Sequence, residues 1–392
     1  MKIANVVGAR PNFVKLAPLT RAMRRQPTIA PILIHTGQHY DDAMSGRFFA
    51  ELEIAAPDVN LGVGAGSHAT QTAEVMRRLE PVLESQRPDL VLVVGDVNST
   101  LAAALTAVKL GLPVAHVEAG LRSFDRTMPE EINRLLTDAV ATFLFVTEES
   151  GRRNLVREGI APGKIHFVGN VMIDALQAFK PRWRASSIFS RLGLTTAQPY
   201  AVLTLHRPSN VDDPRTLTDL LDALQALARH LPIVFPVHPR VPPRPARQGN
   251  LAWGGADTGE PLPSKGIVCL PPLGYLDFVA LVSRARLVLT DSGGVQEEAT
   301  ILGVPCLTLR ETTERPVTVT HGTNRVIGTD PTRILHEALR TLNHPPLSPG
   351  PPPLWDGRAA ERIVDVLLDG GRAGGGRAGW TPAGATRTGH PS

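Results

Sequence analysis

Residues 89–120, DLVLVVGDVNSTLAAALTAVKLGLPVAHVEAG, decide the fold. The stretch opens on an unbroken apolar run, Leu90 to Val94, that ends in Gly95 and Asp96. NSTLAAALTAVKLG follows as a helix, with Asn98 or Ser99 as its candidate cap and Gly111 as its stop. PVAHVEAG then reads as a second buried strand ending in an acid, Glu118. Apolarity that is continuous rather than alternating predicts strands covered on both faces, and hence a parallel sheet.

The same grammar runs outward in both directions. KIANVVGA, PILIHTG, TFLFVTEE and KIHFVGN complete a first half. AVLTLH, PIVFPVH, GIVCLPP, LVLTDSGG, PCLTLRE and NRVIGTD supply a second. Strands alternating with helices on this scale predict an α/β chain of two doubly wound, Rossmann-like domains facing across a cleft. FKPRWRASSIFSRLGLTTAQPY carries no strand pattern, which sets the boundary at 174/175 and the second domain at 175–350. Residues 239–265, rich in Pro and Gly, read as a surface excursion. A last helix is expected over about 355–369, followed by a disordered, glycine-rich tail over 370–392.

The composition is that of an ordinary globular protein, with room for a core in each domain of a 392-residue chain. No apolar run reaches bilayer-spanning length, and the N-terminus passes from a short apolar run straight into a Gly-Arg-Pro turn. The expectation is a cytoplasmic protein without membrane or nucleic-acid partner. The formal charge of +4 owes three arginines to the acid-free tail after Asp369, so the body is close to neutral. Cys269 and Cys306 lie in apolar runs and read as buried free thiols.

Ligands of open parallel sheets bind beyond the carboxyl ends of the strands. The polar residues there are those of GARPNFVK, TGQH, GDVNS, HVEAG, LHRPSN, VHPR and TDSGGVQEE. In TDSGGVQEE a strand ends at Asp291, Ser292-Gly293-Gly294 turn, and a helix begins near Val295, so that free N–H groups can meet a phosphate. Glu298 on that helix can accept from a ribose; the plainer reading is a simple turn with Glu297 and Glu298 supporting the helix start. Arg10 and Lys15 can contact anionic oxygens, although Lys15 alone reads as a solvated helix charge. His206 and His238 end strands without zinc spacing. Strand alternation places Glu118 on the face of His116, and Glu130 and Arg134 have i,i+4 spacing. Asp125 and Glu131 read as loop and helix solvation. Asp96, Glu118 and Glu130 together would suit proton abstraction and donation.

Taken in order, GARPNFVKLAPL, TGQHYDDAM, GDVNST, HVEAGLRS, MPEEINR, GNVMIDAL, TLHRPSN, TDSGGVQEEA, RETTERPVTV and GTNRVIG resemble the non-hydrolysing UDP-N-acetylglucosamine 2-epimerase family over roughly residues 1–330. The resemblance implies a GT-B-like fold, a homodimer, and a final helix packing back on the first domain. It implies interconversion of UDP-GlcNAc and UDP-ManNAc for polysaccharide synthesis, by anti elimination of UDP and a 2-acetamidoglucal intermediate, with no cofactor and no metal. By motif, Asp96, Glu118, Glu130 and His206 become catalytic. Arg10, Lys15, Arg134, Phe278, Ser292, Gly293, Gly294, Glu298 and Arg315 become contacts to the UDP-sugar. Alternatives are an epimerase of a modified UDP-sugar, a hydrolysing epimerase and a GT-B glycosyltransferase.

Overall fold

The computed structural model describes residues 1–37, 49, 51–195, 198–241, 251–253, 263–346 and 350–374. The chain divides into two compact units, Met1–Ala178 together with the segment from Pro353 onward, and Phe179–Pro352.

In the first unit, β1 (Lys2–Val7), β2 (Ala30–His35), β3 (Val59–Asn60), β4 (Leu90–Val94), β5 (Val114–Ala119), β6 (Phe143–Val146) and β7 (Ile165–Phe167) form one sheet in the order β3-β2-β1-β4-β5-β6-β7. All its pairings are parallel. Every residue of β4 and β5 is buried, as the unbroken apolar runs required. The order reverses between β1 and β4, which makes their carboxyl ends the switch point where such sheets take ligands. The intervening helix, Asn98–Lys109, starts one residue earlier than a capping Asn98 would allow and two earlier than a capping Ser99 would. Its N-cap is Val97, and Asn98 turns its amide to His68 and Gln71.

β5 does not run straight to its end. Its register with β6 shifts between Val117 and Ala119, and Glu118 sits there at φ +75°. A bulge of this kind re-aims a side chain at the cost of local strain. It also removes the alternation argument, because Ala119 takes the sheet position expected for Glu118. Gly120 follows at φ +78°, pressed so close to the backbone of Gly151 that no side chain fits.

The last helix runs Ala359–Gly374, later than expected at both ends, so residues 370–374 are helical; residues 375–392 lie outside the described residues. The delay has a local cause. Gly357 takes φ +82° against the side chain of Gln177, a left-handed turn that no helix contains. Trp355 lies in the turn ahead of the helix. It is buried and donates its Nε1–H to the Thr147 carbonyl at 2.9 Å. Ile363, Val364 and Leu367 are buried, and the helix packs on the helix Arg10–Arg24. Asp174, from the helix Val171–Ala178, accepts the free amides of Ala359 (3.1 Å) and Ala360 (2.7 Å), capping a helix almost two hundred residues later in sequence.

In the second unit, β8 (Ala201–Thr204), β9 (Ile233–Pro236), β10 (Leu251–Trp253), β11 (Ile267–Leu270), β12 (Leu287–Thr290), β13 (Cys306–Thr308) and β14 (Asn324–Val326) pair in the order β10-β11-β9-β8-β12-β13-β14, again all parallel. Its switch point lies between β8 and β12. The excursion expected over 239–265 contributes the edge strand β10; residues 242–250 and 254–262 lie outside the described residues. Cys269 and Cys306 are buried free thiols. Among the described residues no helix is long and apolar enough to cross a membrane.

Asp174→Ala should lower stability by about 1–2 kcal/mol, the worth of a lost helix cap with two amides left unpaired. Denaturant unfolding measures it, and proteolytic nicking near the last helix should accelerate.

Candidate active site

At the switch point of the first sheet, three chain segments meet. The Asn12 amide donates to the Val94 carbonyl at 2.9 Å, tying the start of the helix Arg10–Arg24 to the end of β4. One turn further along, Lys15 is buried and ion-paired with Glu118. Its reading as a solvated helix charge is therefore wrong: the ammonium compensates the buried carboxylate. Gly95, at φ +73°, closes the group. A Cβ there would lie 3.3 Å from Asn12 Oδ1, 3.4 Å from Glu118 Oε2 and 3.5 Å from Lys15 Nζ. The Arg10 side chain lies outside the described residues.

The helix Pro129–Val140 supplies the opposite wall. Glu131, Arg134 and Asp138 recur at i, i+3 and i+7, one helical face, and all three are buried. Arg134 reaches Asp96 Oδ2 at 2.5 Å with Nη1 and Glu131 Oε2 at 2.5 Å with Nη2. Glu131 also accepts from the backbone N–H (2.9 Å) and hydroxyl (3.0 Å) of Ser123 and from the Phe124 N–H at 3.1 Å. Its reading as helix solvation is overturned, since it is the internal anchor of the loop between Glu118 and Glu130. Burial would push its carboxyl up, but the Arg134 guanidinium and the Ser123 donors outweigh that and hold it below its usual range. Glu130, one position earlier, is half-buried, and Asp125 is an exposed loop acid that accepts from Thr127.

A third set of buried partners had no signal in the spacing of the sequence. His116 Nδ1 lies 2.7 Å from Asp138 Oδ1, and His116 Nε2 lies 2.8 Å from the Gly95 carbonyl. Asp138 Oδ2 accepts from Gly120 N at 3.0 Å and pairs with Arg122 at 2.7 Å; Arg122 pairs also with Glu158 at 2.6 Å. Burial pushes the Asp138 carboxyl up, and the adjoining His116 and Arg122 more than reverse it.

The second unit builds a different kind of site. Asp291, fully buried at the end of β12, accepts the backbone N–H of His206 (3.0 Å) and of Arg207 (2.9 Å), and its Oδ1 lies 2.8 Å from His206 Nδ1. Against the opposing effect of burial, these bonds keep the carboxyl below its usual range. His206 is thus oriented by an acid from the neighbouring strand, with its side chain 35% exposed. The helix that follows begins at Gly293, before the expected Val295, so both glycines belong to its first turn. The guanidinium of Arg315 lies on Gly293, where a Cβ would come within 2.5 Å of Nη1. Arg315 is held by Glu297 at 2.6 Å and Glu314 at 2.9 Å, and Glu314 also pairs with Arg207 (3.2 Å) and Arg310 (2.9 Å). Gln296 fixes the loop by accepting from Thr313 and Asn324. Three arginines, balanced by Asp291, Glu297 and Glu314, lie around a helix start whose N–H groups and dipole suit an anion.

The remaining expected contacts divide. The Ser292 backbone N–H donates to Thr290 Oγ1 at 2.9 Å, and Gly294 stands beside it in the first turn. Phe278, on the helix Tyr275–Ser283, packs half-buried against the apolar core of the second unit. Glu298 is buried next to Tyr275 and Glu297. Burial first, and the neighbouring Glu297 charge in addition, push it up to about 8 against a hydrogen bond from Tyr275. At neutral pH it is largely protonated, so it can donate as well as accept.

Residues 21–368 match the family described as UDP-N-acetylglucosamine 2-epimerase. A relative named UDP-N-acetylglucosamine 2-epimerase, from Methanocaldococcus jannaschii, is 42% identical over 375 residues, covering 94% of this chain and 100% of that protein. A UDP-2,3-diacetamido-2,3-dideoxy-D-glucuronate 2-epimerase from Pseudomonas aeruginosa is 40% identical, covering 94% of this chain and 99% of its own. The crystal structure of the M. jannaschii UDP-GlcNAc 2-epimerase in complex with UDP-GlcNAc and UDP superposes with a TM-score of 0.82 at 38% identity, over 94% of this chain and 100% of that one. The two parallel α/β units are those of a GT-B-like fold.

The folded protein keeps a proton on Glu298 between about 4.5 and about 8, where the unfolded chain has released it. Stability from this group is therefore full below that window and declines as pH rises through it, by up to about 1.4 kcal/mol per unit. Thermal melts at about pH 6 and about pH 8 should show a larger drop for the native chain than for Glu298→Gln. Equal drops would contradict the assignment.

Proposed function

The chain belongs to the UDP-N-acetylglucosamine 2-epimerase family, and from that premise we propose that it inverts C2 of UDP-GlcNAc to give UDP-ManNAc. The observation that carries the reading is the pairing of Glu118 with Lys15 beside Asp96 and Arg134, a set of carboxylates held by fixed cations at one switch point. A buried carboxylate held by a lysine and aimed by a strained bulge suits a proton acceptor.

The reaction proceeds by anti elimination. A carboxylate takes the proton from C2, the C1–O bond breaks with its electron pair leaving on UDP, and a C1=C2 double bond forms, giving 2-acetamidoglucal. A carboxylic acid then returns a proton to the other face of C2 while a phosphate oxygen of UDP re-forms the bond to C1. Asp96, Glu118 and Glu130 share the two proton transfers. Glu131, committed to Ser123, Phe124 and Arg134, is left out of them. Departure of UDP is the harder half, because an amide-bearing carbon acidifies C2 only weakly. The first turn at Gly293 and Gly294, with Ser292, Arg315 and His206, stabilises the developing diphosphate charge. Glu298, carrying its proton, donates to and accepts from ribose hydroxyls. Lys15 serves Glu118 rather than a phosphate, and Phe278 serves the nucleotide through its helix. Cytoplasmic location, a homodimer and a place in polysaccharide synthesis accompany this reading.

The 40% identity to the diacetamido-glucuronate enzyme favours one other substrate, a UDP-sugar modified at C3 and C6. Incubation with each sugar in parallel, followed by NMR of the products, separates them. The account expects UDP-ManNAc from UDP-GlcNAc; free sugar plus UDP, or conversion of neither substrate, would refute it. Asp96→Asn, Glu118→Gln and Glu130→Gln should each reduce turnover by about 10²–10⁴-fold with little change in UDP affinity. Near-native turnover in all three would dispose of the site.

A further inference from the structure

The groups that bind Asp96 and Glu118 directly do not explain why the two turns carrying these acids keep their separation. Both turns are irregular: Gly95 at φ +73°, Glu118 at +75° and Gly120 at +78° all lie in the left-handed region. The bulge leaves Glu118 itself without a partner in the ladder to β6, which resumes for one pair, Ala119 with Val146, before the turn at Gly120. One backbone bond ties the first turn to the strand ahead of the bulge, Gly95 N–H to the Val117 carbonyl at 3.0 Å, and beyond the bulge two side chains span the gap. His116 Nε2 lies 2.8 Å from the carbonyl of Gly95, the residue before Asp96. Asp138 Oδ2 accepts from Gly120 N, two residues past Glu118, at 3.0 Å, and the two side chains meet at 2.7 Å. Gly95 O faces one nitrogen and the carboxylate the other, so the ring bridges the two turns.

We propose that His116 and Asp138 form a positioning pair that fixes the turn of Asp96 relative to the turn of Glu118; the inference rests on the acid roles proposed above. Neither group touches substrate, since His116 is 0% and Asp138 1% exposed. Stability alone explains the pair poorly. A buried ionic network pays a desolvation cost that apolar packing avoids, and replacing such networks with apolar residues is often neutral or stabilising. Rigid placement of two reacting groups is what such an arrangement supplies, as with the outer partners that orient metal ligands and catalytic histidines.

The test uses the full chain with UDP-GlcNAc, in His116→Gln, Asp138→Asn and the double variant. Turnover should fall about 10–100-fold in each single variant, with KM and UDP affinity within about twofold of native. The double variant should be no slower than the slower single one, because either change breaks the same bridge. Native turnover in folded single variants, or losses that multiply in the double variant, would overturn the proposal. His116→Gln leaves Asp138 paired with Arg122, so it decides the matter if Asp138→Asn does not fold. Amide hydrogen exchange reads the same bridge without substrate. Residues 95–97 and 118–121 should exchange at least about tenfold faster in His116→Gln, and unchanged protection there overturns the inference even if the native chain converts no sugar. Native turnover absent with that exchange change present would instead sink the proposed reaction alone.

Discussion

The guanidinium of Arg134 is buried, and a charge without solvent must be met by the protein. Its two terminal nitrogens take one carboxylate each, Asp96 from the end of β4 and Glu131 from its own helix. Much of the first unit's site follows from that requirement. Glu131, so fixed, collects the amides of Ser123 and Phe124 and sets the loop that leads out of β5. Asp96, so fixed, faces the same region as Glu118, whose own charge is answered by Lys15. Each acid is held by a cation on a helix, and those helices pack on a parallel sheet whose central strands β4 and β5 are buried throughout.

The second unit solves a related problem with the signs reversed. There the buried carboxylates Asp291, Glu297 and Glu314 organise cationic and donor groups. Asp291 gathers the His206 backbone and ring, and Glu314 gathers Arg207, Arg310 and Arg315. The absence of a side chain at Gly293 lets Arg315 lie on the helix start. Where the first unit positions acids, the second positions cationic and donor groups, and the same strand-to-helix turn at a switch point serves both.

Both parallel sheets were legible in the sequence, because strands buried on both faces must be apolar without interruption. β3 and β10 were not: Val-Asn and Leu-Ala-Trp are not part of a longer apolar run. The acids Asp96 and Glu118 stood out because an ionisable group closing a buried run is unusual. Their partners did not. Lys15, Glu131 and Asp138 look like ordinary helix surface charges until the helix faces are known, and helix-surface positions are where charge carries least information. The alternation argument for Glu118 reached a buried acid by a step the bulge invalidates, since β-bulges have no reliable sequence mark apart from glycine. Phe278 was an expectation of resemblance alone, and its packing against the core is what its apolar neighbours would have implied.

The central claim is that a carboxylate of the first unit removes the proton at C2. Solvent is the place where that proton would be traced. With UDP-GlcNAc supplied in deuterated water, NMR of the recovered nucleotide sugars should show deuterium at C2 in the epimerised product. Epimerisation with the C2 hydrogen retained throughout would contradict the account.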